Sequence, residues 1–123
     1  MSSHNDSTDQ SRDNVPSIRQ LQAQSENAVT LFTLSWCSFC HAARHLLREL
    51  HVPHTVIELD TGIYRAAEVH NRLRQELRQL TGSNTLPQLF IGDTAVGGYT
   101  DTQAALRNGK LKTLLSAHQI RIP

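Results

Sequence analysis

The chain has little cysteine and almost no excess of charge of either sign. Twelve lysines and arginines are set against eleven acidic residues, so the net charge is +1 with histidine neutral. This near balance gives no long-range electrostatic reason to expect binding to nucleic acid or to a membrane surface. No apolar run approaches the roughly 20 residues that a helix needs to span a bilayer. We therefore expect neither nucleic acid nor a membrane as a partner.

The start of the sequence lacks the basic and apolar regions of a secretory signal. Residues 1–15 are rich in Ser, Asp and Asn and contain almost nothing to bury, so we predict a disordered tail. Residues 16–123 predict one domain, because neither a linker nor an internal repeat divides them. The expected compartment is the reducing cytoplasm. There, a close pair of thiols is more typical of catalysis or metal binding than of a structural disulfide.

Both cysteines, Cys37 and Cys40, lie where an apolar run gives way to a helical pattern. Residues 28–34 predict a buried strand, and residues 38–50 repeat apolar side chains at helical spacing. At a helix start, Cys37 would face backbone N–H groups that have no partner within the helix, and these favour the thiolate. Only a thiolate attacks a disulfide. This pattern indicates that Cys37 is the nucleophile and that Cys40, one turn deeper, is the resolving thiol.

The rest of the chain predicts an α/β fold of the thioredoxin-like type. The further predicted elements are a short helix after Pro16, a strand at 54–58, a helix from Tyr64 to a cap at Gly82, strands at 88–91 and 94–96, a helix to Arg107 opened by a Thr100–Gln103 capping box, and a last helix at 110–118. A helix between the first two strands implies parallel pairing, and the short connection between the last two implies an antiparallel hairpin. The order β-α-β-α-β-β-α therefore predicts a four-stranded mixed sheet with helices on both faces.

Three other uses of the thiol pair are less favoured by the sequence. A structural disulfide would close a very small loop in a reducing compartment. The string Cys37-Ser-Phe-Cys40-His41 fits c-type haem attachment, but Met1 is the only methionine that could be a distal ligand, and no export signal is visible. A zinc site recruiting His41 and His45 would crowd four ligands onto one and a half helical turns. We therefore predict no metal among the site residues.

Three separated motifs resemble those of glutaredoxins and occur in the same order. They are Trp36-Cys37-Ser38-Phe39-Cys40, similar to C-P-Y-C or C-S-Y-C; Thr85-Leu86-Pro87, similar to T-V-P; and Gly97-Gly98-Tyr99-Thr100-Asp101, similar to G-G-x-[ST]-D. The resemblance covers roughly residues 17–117. It implies a glutathione-dependent thiol–disulfide oxidoreductase that uses glutathione as co-substrate and reduces protein–glutathione mixed disulfides and protein disulfides. We expect a monomer.

The resemblance also implies a glutathione site. A cis Pro87 would hold Leu86 beside the thiols, where its backbone could pair with the cysteinyl part of glutathione. Gly98 would let the peptide approach the backbone, and Thr100 and Asp101 at a helix start would bind the γ-glutamyl carboxylate and ammonium. The predicted glutathione-binding residues are Cys37, Phe39, Arg74, Leu86, Pro87, Gly98, Thr100 and Asp101.

Three positions depart from the family pattern. Phe39 replaces the usual Tyr and loses its hydroxyl. Leu34 stands where many glutaredoxins have a Lys for the glycyl carboxylate, and Arg74, eleven positions before Thr85, is the predicted substitute. Ser38 replaces Pro, and some glutaredoxins with non-Pro sites hold a [2Fe–2S] cluster between two subunits. Two alternatives therefore stay open: a cluster-binding carrier or sensor, and a glutaredoxin-like protein reduced by thioredoxin reductase.

Overall fold

The computed structural model describes residues 15–123. In chain order its elements are α1 (Ile18–Gln24), β1 (Val29–Thr33), α2 (Ser38–Glu49), β2 (Thr55–Glu58), a 3₁₀ helix (Gly62–Tyr64), α3 (Ala67–Thr81), β3 (Gln88–Ile91), β4 (Thr94–Gly97), α4 (Tyr99–Arg107) and α5 (Lys110–Ser116). The predicted disordered tail lies outside the described residues except for Val15, which is buried. No helix within residues 15–123 is long and apolar enough to cross a membrane.

The four strands form one mixed sheet in the order β2-β1-β3-β4. Strand β1 pairs in parallel with β2, because helix α2 carries the chain back to the same end of the sheet before β2 begins. Strand β3 is antiparallel to β1 and to β4, from which it is separated only by the tight turn at Gly92-Asp93. This arrangement confirms the predicted thioredoxin-like fold.

Alternation along the strands divides the core between the two faces of the sheet. In β1, Val29 and Leu31 pack with residues of α2, α4 and α5 on one face. Phe32 points to the other face, where it packs with residues of α1 and α3 and meets Phe90 edge to face at 5.7 Å between ring centroids. Each face buries its own set of apolar side chains, so helices cover both.

Helix α3 begins later than its apolar pattern predicts. The predicted start at Tyr64 is wrong, because residues 62–64 form a single 3₁₀ turn and α3 begins at Ala67. Gly62 has φ +58 and Ala66 is extended, with ψ 135, so an α-helix cannot run through this stretch. Helix α5 likewise ends at Ser116, two residues before its predicted end.

The start of α4 is also corrected by the structure. Gly98 is the N-cap residue, and the Asp101 carboxylate accepts its backbone N–H at 2.9 Å between nitrogen and Oδ2. The predicted capping box of Thr100 and Gln103 is therefore wrong. An extended glycine followed three positions later by a carboxylate opens the helix before Thr100 can cap it, since a carboxylate is a stronger acceptor than a hydroxyl.

Candidate active site

Cys37 lies at the point where the loop after β1 becomes helix α2. It is the N-cap residue of that helix, and its Sγ accepts the backbone N–H of Cys40 at 3.3 Å. On its other side, the Sγ lies 3.6 Å from the carbonyl oxygen of Leu86. The side chain is half-buried. The sulfur therefore meets the backbone N–H groups of a helix start while it remains partly open to solvent.

Cys40 lies beneath Cys37 in a different environment. Its side chain is only 1% exposed, and its Sγ accepts the backbone N–H of Leu34 at 3.5 Å. Burial, helped by the hydrogen bond with Cys37, raises the pKa of Cys40 to about 12. Both cysteines are free thiols. At neutral pH the buried one is therefore held in its protonated, poorly nucleophilic form.

The loop that carries Cys37 is tied to the end of β2 through Ser35 and Asp60. The Ser35 backbone N–H and hydroxyl donate to the two carboxylate oxygens of Asp60 at 3.0 and 2.6 Å. Partial desolvation raises the pKa of Asp60, but these two hydrogen bonds outweigh it and leave the pKa below its usual value. His41 Nε2 lies 2.9 Å from the Ser35 carbonyl oxygen on the helix side. The loop is thus anchored from both ends.

A second wall of the site is the loop before β3. The peptide bond between Leu86 and Pro87 is cis, as the family resemblance implies. The buried side chain of Gln88 donates from Nε2 to the Thr85 carbonyl oxygen at 2.8 Å and so holds this loop from below. The Leu86 carbonyl is thereby kept beside the Cys37 sulfur.

The third wall is the start of α4, which approaches the proline loop because two glycines precede it. Gly97 has φ +116, and a Cβ built there would collide with the carboxylate of Asp101. A Cβ on Gly98 would lie 3.5 Å from the Pro87 carbonyl oxygen. Gly97 therefore allows a conformation that a side chain would oppose, whereas a Cβ on Gly98 would meet the proline loop at ordinary van der Waals distance.

These walls enclose a groove of about 260 Å³. Its lining residues are Phe39, Thr85, Leu86, Pro87, Gly98, Tyr99, Thr100 and Asp101. Six of the predicted binding residues are therefore brought together, and Cys37 adjoins them through its contact with Leu86. Their role in holding glutathione stays a prediction at this point.

Two lining residues, Tyr99 and Thr85, were not among the predicted site residues. The ring of Tyr99 lies 6.1 Å from that of Phe39 at an interplanar angle of 30°, so the two aromatic rings face each other at the groove. Tyr99 occupies the variable position of the glycine motif, and Thr85 opens the proline motif. An aromatic side chain between motif residues was the available signal for Tyr99.

Arg74 does not line the groove but lies next to it. Its Nη2 donates to the Asn84 carbonyl oxygen at 2.9 Å, and its Nη1 lies 3.4 Å from His70 Nε2. Leu34, at the position of the Lys found in many glutaredoxins, is only 8% exposed and belongs to the core on the α1 and α3 face. A core leucine thus stands at the position of the family's cation, and Arg74 is bonded to Asn84, the residue before the groove-lining Thr85.

No group of three or more His, Cys, Asp or Glu side chains in residues 15–123 is close enough to hold a metal ion. The two histidines considered for a zinc site make other contacts. His41 is bonded to the Ser35 carbonyl, and His45 Nε2 lies 3.4 Å from the carboxylate of Glu49. A larger groove of about 560 Å³ runs along the outer edge of β2, but neither cysteine lines it. The candidate active site is therefore the smaller groove beside the two cysteines and not the larger groove at β2.

The glutaredoxin family model matches residues 29–96, which contain both cysteines, the proline loop and β4 as far as Val96. Over 89 residues the chain is 40% identical to the glutaredoxin of Pseudomonas aeruginosa, and the match covers 72% of this chain and 96% of that protein. It is 35% identical over 99 residues to the mitochondrial glutaredoxin-2 of Pongo abelii, covering 80% of this chain and 58% of that one. The chain thus spans less than two thirds of the length of the mitochondrial relatives that it matches.

Solved structures agree with the fold. The crystal structure of the buckwheat glutaredoxin–glutathione complex superposes with a TM-score of 0.70 at 24% identity, covering 94% of this chain and 96% of that one. At this identity the likeness concerns the fold alone. The family match and the identity to the Pseudomonas protein are evidence of family membership as well as of fold, because they include the thiol and proline motifs. This chain belongs to the glutaredoxin family.

Proposed function

We propose that the protein is a glutathione-dependent thiol–disulfide oxidoreductase that reduces protein–glutathione mixed disulfides through Cys37. The observation that carries the proposal is the placement of the two thiols. Cys37 is half-buried at a helix start beside the groove, whereas Cys40 is 1% exposed with its pKa raised to about 12. Cys37 is therefore the accessible nucleophile, and Cys40 stays a buried, protonated thiol until it is needed as the resolving residue.

The first step is attack by the Cys37 thiolate on the glutathione sulfur of a mixed disulfide. The disulfide bond breaks, the protein substrate leaves as a thiolate that takes up a proton, and Cys37 becomes glutathionylated. A second glutathione thiolate then attacks the glutathione sulfur on Cys37, which yields oxidised glutathione and free Cys37. Each step breaks one disulfide bond and forms another, so one free glutathione is consumed per turnover, and the other half of the oxidised glutathione comes from the substrate.

For a protein disulfide, the Cys37 thiolate first forms a mixed disulfide with one substrate sulfur. Cys40 then attacks the Cys37 sulfur, which releases the reduced protein and leaves a Cys37–Cys40 disulfide that two glutathione molecules reduce. This step needs the Cys40 thiolate, which burial disfavours at neutral pH. The second glutathione therefore competes effectively with Cys40 for the glutathionylated enzyme. The dithiol route serves substrates that cannot be released by glutathione alone.

The groove is suited to a short extended peptide. The backbone of Leu86 would pair with the cysteinyl residue of glutathione as an added strand, close to the Cys37 sulfur. The start of α4 would take the γ-glutamyl group, with Thr100 and Asp101 at its end of the groove. Arg74 would bind the glycyl carboxylate. The buckwheat glutaredoxin, which has the same fold, is known as a glutathione complex, and this similarity supports the proposal.

The burial of Leu34 favours a second candidate, reduction by thioredoxin reductase, because the expected cation for glutathione is replaced by a core side chain. The iron–sulfur alternative differs in its ligands. A [2Fe–2S] cluster needs four ligands, and a single copy offers only two cysteines, one of them buried. A shared cluster would instead be held by Cys37 and a bound glutathione from each of two copies.

One comparison of reductants separates these functions. Turnover of a glutathionylated peptide is followed by NADPH consumption, either with glutathione and glutathione reductase or with thioredoxin reductase alone. We expect turnover in the glutathione system, and turnover confined to thioredoxin reductase would contradict the proposal. A brown dimer with visible absorption from anaerobic preparations would favour the cluster instead. The monomeric state and the cytoplasmic location stay predictions from the sequence.

A further inference from the structure

His70 connects the end of β2 to Arg74, and no motif drew attention to it. Its Nδ1 lies 2.6 Å from the carbonyl oxygen of Leu59, and its Nε2 lies 3.4 Å from Nη1 of Arg74. A carbonyl oxygen can only accept, so Nδ1 carries the proton. In the neutral imidazole, Nε2 is then the unprotonated nitrogen, and it accepts an N–H from Arg74. The contact with Leu59 thus fixes the Nδ1–H tautomer, in which Nε2 can accept a hydrogen bond from Arg74.

Two acceptors hold the guanidinium of Arg74 from different sides. The Asn84 carbonyl takes Nη2 at 2.9 Å, and His70 takes Nη1. A guanidinium has five N–H donors, so these two bonds leave others to meet a carboxylate. Fixing the long side chain before the ligand arrives removes part of the entropy cost of binding. The position of Arg74 beside the loop at Thr85 therefore depends on both contacts.

We infer that His70 is a positioning residue for glutathione: in its neutral form it holds Arg74 beside the groove, and its protonation releases Arg74. This inference rests on the proposed function and deepens it. A protonated imidazole presents N–H donors on both nitrogens, so Nε2 can no longer accept from Arg74 and instead faces a second cation. The affinity for the glycyl carboxylate then falls as the histidine becomes charged.

Two charged groups face the imidazole, and they act in opposite directions. Asp60, at the end of β2, attracts a protonated His70, and the same attraction lowers the pKa of Asp60 slightly beyond the effect of its Ser35 hydrogen bonds. Arg74, on the same helix, repels the protonated form. Protonation of the imidazole would therefore act on a contact directly behind the predicted carboxylate-binding arginine.

The test replaces His70 by Phe, which keeps an aromatic ring and removes both ring nitrogens. At about pH 8 we expect the KM for the glutathionylated peptide to rise about fivefold, the effect of one hydrogen bond of ordinary net strength, with little change in kcat. The matched control is His54→Phe. His54 Nδ1 lies 2.7 Å from the Val52 carbonyl oxygen, at the opposite end of β2. We expect its KM to match that of the native protein, and an unchanged KM in His70→Phe would overturn the inference.

Lowering the pH adds a readout that a merely structural role would not move. Thiol ionisation affects the native protein and His70→Phe alike, so the ratio of their KM values isolates the imidazole. We expect this ratio to fall when the pH is lowered from about 8 to about 5, the range over which histidines in general change charge, because a protonated Nε2 can no longer accept from Arg74. A ratio that stays constant over this range would contradict the switch.

A double-mutant cycle with Arg74→Ala tests whether His70 acts through Arg74. We expect His70→Phe to have no further effect on KM in the Arg74→Ala background, and a persistent fivefold effect would refute the coupling. Failure of the proposed function is recognised separately, as absent turnover of the native protein with glutathione. In that case the imidazole ¹⁵N NMR signals decide: an Nε2 resonance that shifts in Arg74→Ala supports the contact, and one that does not shift overturns it.

Discussion

Cys37 and Cys40 are three positions apart in the chain, yet the fold gives them opposite surroundings. Cys37 caps α2 with its sulfur turned to the groove and to the Leu86 carbonyl, while Cys40 is 1% exposed beneath it. Two identical side chains thus differ in burial and in hydrogen bonding, and the proposed function assigns them unequal roles on that ground. The experiments below test this difference.

The largest effect is expected from exchanging each sulfur for oxygen. Cys37→Ser should abolish deglutathionylation, because the nucleophile is lost, whereas Cys40→Ser should retain most of it, because the second glutathione still releases Cys37. The two variants are compared by turnover of a glutathionylated peptide. With a protein disulfide as substrate, Cys40→Ser should also lose activity. Equal losses in both variants with the mixed disulfide would refute the unequal roles.

Gly97→Ala disturbs the groove without touching either thiol. The alanine would adopt φ +116 and collide with the Asp101 carboxylate, so we expect the free energy of unfolding to fall by about 3 kcal/mol in urea titrations. Gly109→Ala is the matched control, since Gly109 has φ +84 but no atom within 4 Å of the added Cβ. It should cost about 1 kcal/mol, for backbone conformation only. Equal costs would show that the contact with Asp101 is unimportant.

Arg74→Ala tests whether ligand binding can be weakened while the thiol pair is unchanged. Loss of a charged hydrogen-bond donor should raise the KM for the glutathionylated peptide about tenfold and leave kcat nearly unchanged. Arg78→Ala, one turn further along α3 at an exposed position, serves as the control and should match the native protein. If both substitutions raised KM equally, the effect would come from general charge and not from a placed arginine.

Ser35→Ala should have the smallest effect, because it removes one hydrogen bond from the loop before Cys37. We expect a loss of about 1 kcal/mol in the free energy of unfolding near neutral pH. The pKa of Asp60 is below its usual 3.8 in the folded protein, so its contribution is present above that value and is lost as the pH falls through the lower, folded pKa. The difference between the two proteins should therefore shrink in acid. A difference that is independent of pH would contradict this account.

Periodicity and motifs were sufficient for the fold and for most of the groove lining. The apolar run of β1, the short apolar run of β3 and the glycine cap at Gly82 all carry local signals, and the structure has them where the sequence predicts them. The start of α4 was predicted incorrectly because Thr100 and Asp101 both fit a capping pattern, and only the extended backbone of Gly98 decides between them.

The surroundings of Arg74 could not be predicted in the same way. His70 contacts the Leu59 carbonyl and Arg74, and the Asn84 carbonyl accepts from Arg74. These contacts depend on how β2, α3 and the proline loop meet in space. Contacts between a side chain and a distant backbone carbonyl produce no recognisable spacing pattern in the sequence. The substitution of Leu34 for a lysine was visible, but its physical meaning required the observation that this position is buried.

The most direct test of the central claim is site-resolved alkylation of the reduced protein over a range of pH. Iodoacetamide reacts with thiolates, and mass spectrometry of the peptides reports Cys37 and Cys40 separately. We predict that Cys37 is modified faster than Cys40 at every pH at which the protein stays folded, because burial raises the pKa of Cys40 to about 12. Modification of both cysteines at the same rate near neutral pH, or faster modification of Cys40, would contradict the account.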